Sequence, residues 1–330
     1  MVKESVVRFL EEFSSKNILV IGDAMLDAYM WGKIERQSPE APIPVVDILK
    51  REKRLGGAAN VALNLKSLGI NPILLTLTGD DRKSEEFTDL MHAAQLSTSG
   101  IVKDSNRKTT QKTRIIAHDK HVLRVDEEDV FDFEDTQVIL ERVKNLHQEF
   151  NFDVVVFEDY NKGLLTEEII EQCIRFCKEH NIKTIVDPKK KNFFAYKQVD
   201  VFKPNLKEIT EGLNTTCNPE HVSELIRVCT ELKNKLDVNS VFLTLSEHGV
   251  FILSDSGQTS HPSFERNIID VSGAGDTVVS VASLALACGL ENEDLALIAN
   301  LAGGLVCEHV GVVPINKDQL INEIKEVYNL

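Results

Sequence analysis

The sequence predicts an α/β fold with a mostly parallel central sheet, helices on both faces and a small β-flap, or lid, beside the sheet. Short runs rich in β-branched residues alternate with helical patterns of about 10 to 15 residues, which is typical of βαβ units and a parallel sheet. Two further segments alternate polar and apolar residues at the period of a strand, and these predict the lid.

Six runs predict the strands of the central sheet: residues 18–22, 73–79, 154–159, 183–187, 200–205 and 240–249. Each run ends in polar residues, for example Gly22-Asp23, Asp187-Pro188-Lys189 and Pro204-Asn205. In an open α/β sheet, ligands bind outside the carboxyl ends of the parallel strands. Solvated loops would explain one or two such endings, whereas six in succession favour a ligand site along this edge.

The lid is predicted at residues 28–50 and 100–128. Pro39, Pro42 and Pro44 mark irregular backbone or strand edges in the first of these segments. No linker, repeat or low-complexity stretch divides the rest of the chain, so we expect a single domain over residues 1–330.

The charge of the chain argues against several classes of partner. Lys and Arg total 37 and Asp and Glu total 52, which gives a net charge of −15. A nonspecific grip on nucleic acid or anionic lipid would work against this field. A small anionic ligand remains compatible with it, because a few local donors outweigh distant, screened charges.

Targeting signals and cysteines give a similarly simple picture. No stretch approaches the roughly 20 consecutive apolar residues of a membrane span, and the acidic, amphipathic start of the chain does not resemble a signal peptide. We therefore expect a cytoplasmic protein that makes no contact with a membrane. The six cysteines form no CxxC pair, which favours core thiols over metal ligands or disulfides.

The most informative stretch is the glycine-rich sequence DVSGAGD at residues 270–276, which precedes a nearly continuous apolar run. That run predicts a buried helix, with Gly273 and Gly275 at its N-terminus, where free N–H groups bind anions. Asp276 would stand beside the bound anion as a base with a lowered pKa, an arrangement suited to activating a hydroxyl for phosphoryl transfer. The alternative is that Asp276 only caps the helix.

Other phosphate-binding designs do not fit. The sequence lacks GxxxxGK[ST], and the first strand continues into GDAMLD rather than GxGxxG, so neither a P-loop nor a dinucleotide-binding enzyme is expected. A second glycine cluster, at Gly56, Gly57 and Asn60, opens a predicted helix. This cluster has two interpretations of about equal weight. Its glycines could let a polar ligand lie against the backbone, or they could serve tight helix packing.

Taken together, five motifs resemble those of the ribokinase-like (PfkB) carbohydrate kinases, in the order of that family and over about residues 16–315. They are GDAMLD at 22–27, GGAAN at 56–60, NLKE at 205–208, TLSEHG at 244–249 and DVSGAGD at 270–276. The resemblance implies a ribokinase-like fold, ATP and Mg²⁺ as cofactors, and a small-molecule sugar as substrate. It also suggests a monovalent cation and a homodimer formed through the β-flap.

The resemblance implies roles for individual residues. Asp276 would be the catalytic base, with Gly273, Ala274 and Gly275 as the anion hole. The nucleotide would be bordered by Asn205, Leu206, Lys207, Glu208, Thr244, Ser246, Gly249, Asn300 and Gly303. Asn205 and Glu208 would also serve the magnesium ion. The sugar would be held by Asp23, Asp27, Gly56, Gly57, Asn60, Asp159 and Lys189.

Within the family, residues 25–45, 159–163 and 187–189 resemble the heptose 7-phosphate kinases of ADP-heptose synthesis, which supply lipopolysaccharide. This implies D-glycero-D-manno-heptose 7-phosphate as substrate and the 1,7-bisphosphate as product. In many bacteria this kinase is fused to a nucleotidyltransferase with an HxGH signature. That signature is absent from the sequence, so we expect the stand-alone kinase.

The phosphate already on such a sugar needs basic partners. Lys112 and Arg114 alternate in the lid segment and therefore share one face of a strand. They predict an anionic substrate, although a solvated edge strand guarded by charge explains them equally well. The alternatives are a kinase of an unphosphorylated sugar such as fructose or ribose, and a catalytically silent sugar-binding regulator on the same fold.

Overall fold

The computed structural model describes residues 3–118 and 120–330. Its strands are β1 Ile18–Gly22, β2 Ala24–Gln37, β3 Pro44–Gly57, β4 Ile73–Thr78, β5 Ile101–Lys103, β6 Gln111–Ala117, β7 Lys120–Glu127, β8 Val154–Glu158, β9 Lys183–Asp187, β10 Val201–Phe202, β11 Ser240–Thr244, β12 Val250–Ser254 and β13 Gly257–His261. Its α-helices are α1 Glu4–Glu12, α2 Ala58–Ser67, α3 Arg82–Ala93, α4 Thr136–Phe150, α5 Glu167–Glu179, α6 Leu206–Leu213, α7 Val222–Leu236, α8 Ala274–Ala287, α9 Asn292–Val306 and α10 Lys317–Tyr328.

The central sheet has nine strands in the order β13-β12-β11-β10-β9-β8-β1-β4-β5. All six predicted strands lie in it, and every pairing among them is parallel. The prediction omitted three edge strands. β12 and β13 form an antiparallel hairpin at one edge, and the short β5 pairs with β4 at the other.

Helices cover both faces of this sheet, as predicted. Along β1, Ile18 and Val20 pack into a core with α1, α2, α3, α8, α9 and α10. Leu19 and Ile21 point the other way, into a second core with α4, α5, α6 and α7. A strand buried on both faces reads as a continuous apolar run, and this is why these strands were visible in the sequence.

The lid is a separate four-stranded sheet in the order β3-β2-β6-β7. The predicted lid boundaries were partly wrong. β2 begins before the predicted segment 28–50, because only one residue separates it from β1. β3 continues past the end of that segment, to Gly57. Within segment 100–128, residues 101–103 belong to the central sheet, where β5 pairs with β4.

The two faces of the lid differ in character. Asp27, Tyr29, Lys112 and Arg114 share one face by register, which we call the inner lid face. Met30, Ile115, Leu123 and Val125 occupy the opposite side, the outer lid face. The inner face is therefore polar and charged, and the outer face is largely apolar.

The remaining expectations concern cysteines and membranes. All six cysteines are free thiols, and Cys173, Cys177, Cys229 and Cys307 are buried, as predicted. Within residues 3–118 and 120–330, no helix combines the length and the apolar character that crossing a membrane requires.

Candidate active site

The glycine-rich loop forms the N-terminus of α8. Gly273 is the N-cap residue and has a φ of 82°, a left-handed conformation that favours glycine. At Gly275, an added Cβ would meet only the Asp187 carboxylate, at 3.7 Å, so the space beside this residue is open. The first N–H groups of a helix have no partner within the helix. The Ala274 N–H donates to the Val271 carbonyl at 3.3 Å, whereas the N–H of Gly275 lies beside the open space at which the sequence predicts an anion site.

Asp276 lies in the first turn of α8 and is buried. Both of its carboxylate oxygens accept hydrogen bonds from side chains that are distant in the sequence. The Asn60 amide donates to Oδ2 at 2.7 Å, and the Tyr160 hydroxyl donates to Oδ1 at 2.8 Å. The motif analysis assigned no role to Tyr160, although it directly follows the predicted strand end at Asp159.

The predicted direction of the Asp276 pKa was wrong. The pKa of this carboxyl is raised to about 6; burial is the largest cause, and the nearby Asp187 carboxylate acts in the same direction. The hydrogen bonds from Asn60 and Tyr160 and the charge of Lys189 act in the opposite direction. Desolvation outweighs them, so the group titrates close to neutral pH, where a general base works best.

A second carboxyl lies close to this group. Glu158 ends β8 and is fully buried, and neither of its oxygens has a hydrogen-bond partner among the described residues. Burial raises the pKa of Glu158 well above its usual value, and the Asp187 and Asp276 carboxylates add to this effect. Full burial without a hydrogen-bond partner therefore favours the neutral form of Glu158 over the charged one.

Asp187 ends the neighbouring strand β9, and two lysines neutralise it. The Lys203 ammonium lies 2.8 Å from Oδ2, and the Lys189 ammonium lies 2.9 Å from Oδ1. Lys189 also reaches Glu208 Oε1 at 2.9 Å. Lys189, predicted as a sugar ligand, is thus held between two carboxylates in this structure.

A cleft of about 640 Å³ opens beside α6, next to this cluster. Its lining residues are Asn205, Leu206, Lys207, Thr210, Thr215, Thr216, Cys217 and Ser246. Four of the predicted nucleotide residues, at positions 205, 206, 207 and 246, are among them. The loop at 215–217 was missed, because no glycine or charge pattern distinguishes it in the sequence.

The other predicted nucleotide residues lie outside this lining. Thr244 bridges to Asn205 at the end of β11, and Gly249 has a φ of 82° in the turn that follows. On α9, the Asn300 amide donates to the Pro262 carbonyl. A Cβ at Gly303 would press against Val278 of α8, so this glycine serves helix packing.

Several predicted sugar ligands already have protein partners. Asp23 accepts hydrogen bonds from the backbone N–H groups of Tyr160, Lys162 and Leu164, and so holds the loop that follows β8. Asp159 accepts one from the Tyr196 hydroxyl at 2.7 Å. These two carboxylates shape the site rather than face into it.

The root of the lid carries the next group of predicted ligands. The Asp27 carboxylate forms an ion pair with Arg114, and it lies so close to Gly56 that a side chain there would overlap it. Gly57 is the N-cap residue of α2, with a φ of 60°. Both glycines are thus required by close packing or by backbone conformation.

The predicted basic pair does lie on the inner lid face, but acidic residues neutralise it. The Lys112 ammonium lies 3.0 Å from Asp126 and 3.2 Å from Glu128. A basic residue that the sequence analysis missed, Arg54, lies beside Arg114. Their guanidinium carbons lie 5.0 and 5.3 Å from the centre of the Tyr29 ring.

Comparison with known proteins identifies the family. Residues 15–319 match the pfkB family of carbohydrate kinases. The chain belongs to this family. It is 37% identical over 307 residues to a bifunctional protein HldE of Aliarcobacter butzleri, and 37% identical over 298 residues to one of Helicobacter pylori. These alignments cover 92% and 90% of this chain but only 63% and 64% of the relatives, so the chain spans less than two thirds of their length.

Solved structures establish the fold as ribokinase-like. Phosphofructokinase-2 from Escherichia coli, solved in complex with potassium, superposes with a TM-score of 0.80 at 17% identity, over 96% of this chain and 99% of that one. Ribokinase from Arabidopsis thaliana, complexed with ribose and ATP, gives 0.72 at 16% identity, over 94% and 99%. By family the chain is a pfkB carbohydrate kinase, and its fold agrees with that assignment.

The donor set of this pfkB kinase fits a magnesium ion. Asn205 and Glu208 form a capping box on α6, and they present amide and carboxylate oxygens, the hard ligands that Mg²⁺ prefers. In the part of the chain that the structure describes, no group of three or more His, Cys, Asp or Glu side chains is arranged to hold a metal.

Replacing the base tests the role of Asp276 in this pfkB kinase. Asp276→Asn keeps the shape of the side chain but removes its proton affinity, so kcat for sugar-dependent ADP formation should fall roughly 10²- to 10⁴-fold. The affinity for ATP should hardly change. Asp294→Asn is the matched control, because Asp294 is equally buried but pairs with Lys3 and Tyr328. If Asp276→Asn retains near-normal kcat, Asp276 is only a helix cap.

Proposed function

We propose that this kinase transfers the γ-phosphoryl group of ATP to the anomeric hydroxyl of D-glycero-D-manno-heptose 7-phosphate. The product would be the 1,7-bisphosphate, a precursor of ADP-heptose and lipopolysaccharide. The observation that carries the proposal is the pair of arginines on the lid, Arg54 and Arg114, on either side of Tyr29. The motifs at 25–45, 159–163 and 187–189 and the relatives named HldE support the same substrate.

The position of Arg54 connects the lid to the reacting end of the site. Arg54 and Asn60 line one cleft of about 410 Å³, and Asn60 in turn holds the catalytic carboxylate. The Arg54 Nη1 also donates to the Val312 carbonyl at 3.0 Å. A sugar whose anomeric hydroxyl meets Asp276 would therefore extend towards these guanidinium groups. Guanidinium groups bind phosphate oxygens in a bidentate manner, which suits a sugar phosphate.

The reaction follows from the geometry of the base. The Asp276 carboxylate accepts the proton of the sugar hydroxyl while the hydroxyl oxygen of the sugar forms a bond to the γ-phosphorus. The bond between that phosphorus and the β,γ-bridging oxygen breaks, and ADP leaves with the electron pair. The proton remains on Asp276 until the product has left, and a pKa of about 6 lets the carboxyl release it again near neutral pH.

The charge on the transferred group needs fixed donors. The N–H groups of Gly273 and Gly275 would meet the γ-phosphate at the positive end of α8. Mg²⁺, when bound, would neutralise the phosphates, with Asn205 and Glu208 as its protein oxygens. Because the loop is already formed in this structure, little rearrangement is needed to stabilise the transition state.

A coupled assay of ADP formation over a set of sugars tests the substrate. We expect the specificity constant to be highest for the heptose 7-phosphate, with fructose 6-phosphate, fructose and ribose far lower. The pairing of Lys112 with two carboxylates, and of Arg114 with Asp27, favours the alternative of an unphosphorylated sugar. A preference for fructose or ribose would therefore overturn the heptose phosphate assignment.

Removing one arginine charge tests how the substrate phosphate is bound. Arg54→Met keeps the apolar stem, and a charge-assisted hydrogen bond contributes about 1.5–3 kcal/mol, so the specificity constant for the sugar phosphate should fall roughly tenfold or more. Turnover of an unphosphorylated sugar should not change. Arg51→Met is the control, since Arg51 is exposed and pairs in register with Met30 of the outer lid face, to whose sulfur it donates. Equal losses with both kinds of sugar would mean that Arg54 only supports the lid.

We also propose that a second copy of the chain covers the outer lid face, as the family resemblance implies. Leu123 and Val125 are 55% and 43% exposed there, an unusual exposure for apolar residues on a sheet. Light scattering after gel filtration should give a dimer, and Leu123→Lys with Val125→Lys should give a monomer. A wild-type monomer at micromolar concentration would contradict this proposal.

The monovalent cation implied by the family resemblance is a further part of this proposal. We expect the cation to bind near Asp270. The Asp270 carboxylate accepts hydrogen bonds from the backbone N–H groups of Ser272 and Gly311, and so joins two loops beside the proposed anion site. Exchange of potassium for tetramethylammonium should lower kcat. Equal kcat in both salts would show that turnover does not require a monovalent metal cation.

A further inference from the structure

Lys189 occupies a bridging position at the edge of the nucleotide cleft. Its ammonium lies 2.9 Å from Asp187 Oδ1 and 2.9 Å from Glu208 Oε1. The two carboxylates belong to different elements, the end of β9 and the first turn of α6. The ammonium of Lys189 thus forms ion pairs with two carboxylate oxygens, one of Asp187 and one of Glu208. A divalent cation bound at Glu208 would attract the same two oxygens.

The second lysine of the cluster has a different role. Lys203 forms an ion pair with Asp187, through the other carboxylate oxygen, and it is 2% exposed. It remains a permanent counter-ion of Asp187. The Lys189 side chain is 29% exposed and stands at the border of the open site, so it can move without unpacking the core.

A second position is available to the Lys189 ammonium. The open space beside Gly275, where the loop would bind a phosphate, borders Oδ2 of the Asp187 carboxylate, and Lys189 contacts Oδ1 of the same carboxylate. The ammonium also lies 5.4 Å from the centre of the Tyr160 ring, whose hydroxyl binds Asp276. A phosphate in the anion site would therefore lie within reach of Lys189.

We propose that Lys189 is a resident counter-ion that holds the place of the divalent cation until nucleotide binds. In the free enzyme its ammonium competes with metal for Asp187 and Glu208. When the nucleotide arrives, its phosphates attract the ammonium, and the carboxylate oxygens become available to the metal that accompanies the phosphates. The metal thus enters together with the nucleotide and not before it. This inference rests on the nucleotide and magnesium roles proposed above, but not on the identity of the sugar.

The test measures Mn²⁺ binding without nucleotide and without turnover. Free Mn²⁺ is titrated by electron paramagnetic resonance at pH 8 with wild-type protein, Lys189→Met and Lys190→Met. Lys190 is the matched control, because its side chain is 80% exposed and its nearest acid, Glu211, lies 3.8 Å away. We expect Lys189→Met to bind Mn²⁺ at least tenfold more tightly than wild type, about 1.4 kcal/mol, and Lys190→Met to match wild type.

Equal or weaker Mn²⁺ binding by Lys189→Met would overturn the proposal. Equal tightening in Lys190→Met would overturn it as well, since a general change in charge would then be the cause. If Lys189→Met fails to fold, Lys189→Gln carries the same expectation with a polar, uncharged side chain. The sugar screen is independent of this result, so an incorrect heptose assignment would leave the Mn²⁺ difference unchanged.

Discussion

The site depends on a balance between the burial of the Asp276 carboxylate and the donors that surround it. Burial disfavours the ionised form of this group, which is the form that can accept a proton. Asn60, Tyr160 and Lys189 counteract that cost and leave the pKa at about 6. The same buried environment would strengthen electrostatic interactions with a transferred phosphoryl group, so the burial that lowers the ionised fraction of Asp276 would also serve the reaction.

The parallel sheet makes this balance possible. β8 and β9 run side by side in register, so Glu158 and Asp187 end on the same face, beneath the N-terminus of α8. Three carboxyl groups so close together cannot all be ionised without compensation. Lysines neutralise Asp187, burial favours the neutral form of Glu158, and a pKa of about 6 leaves Asp276 able to gain and lose a proton near neutral pH.

The sequence predicted those features that local patterns encode. The doubly buried strands, the glycine-rich N-terminus of α8 and the inner-face position of Arg114 all follow from spacing. The bonds of Asp276 to Asn60 and Tyr160 cross 216 and 116 residues of chain, and no local pattern encodes them. The pKa of Asp276 was predicted with the wrong sign for the same reason, because a helix N-terminus is visible in the sequence and desolvation by distant elements is not.

The pH dependence of kcat/KM in wild type and in Tyr160→Phe tests this balance most directly. Asp276 works ionised, so wild-type activity should fall as the pH drops through about 6. Loss of the Tyr160 hydroxyl removes a donor that lowers the Asp276 pKa, so the acid limb should move to higher pH. Tyr196→Phe, which removes a hydroxyl from Asp159 instead, should leave that limb in place. An acid limb at the same pH in wild type and Tyr160→Phe would contradict the account.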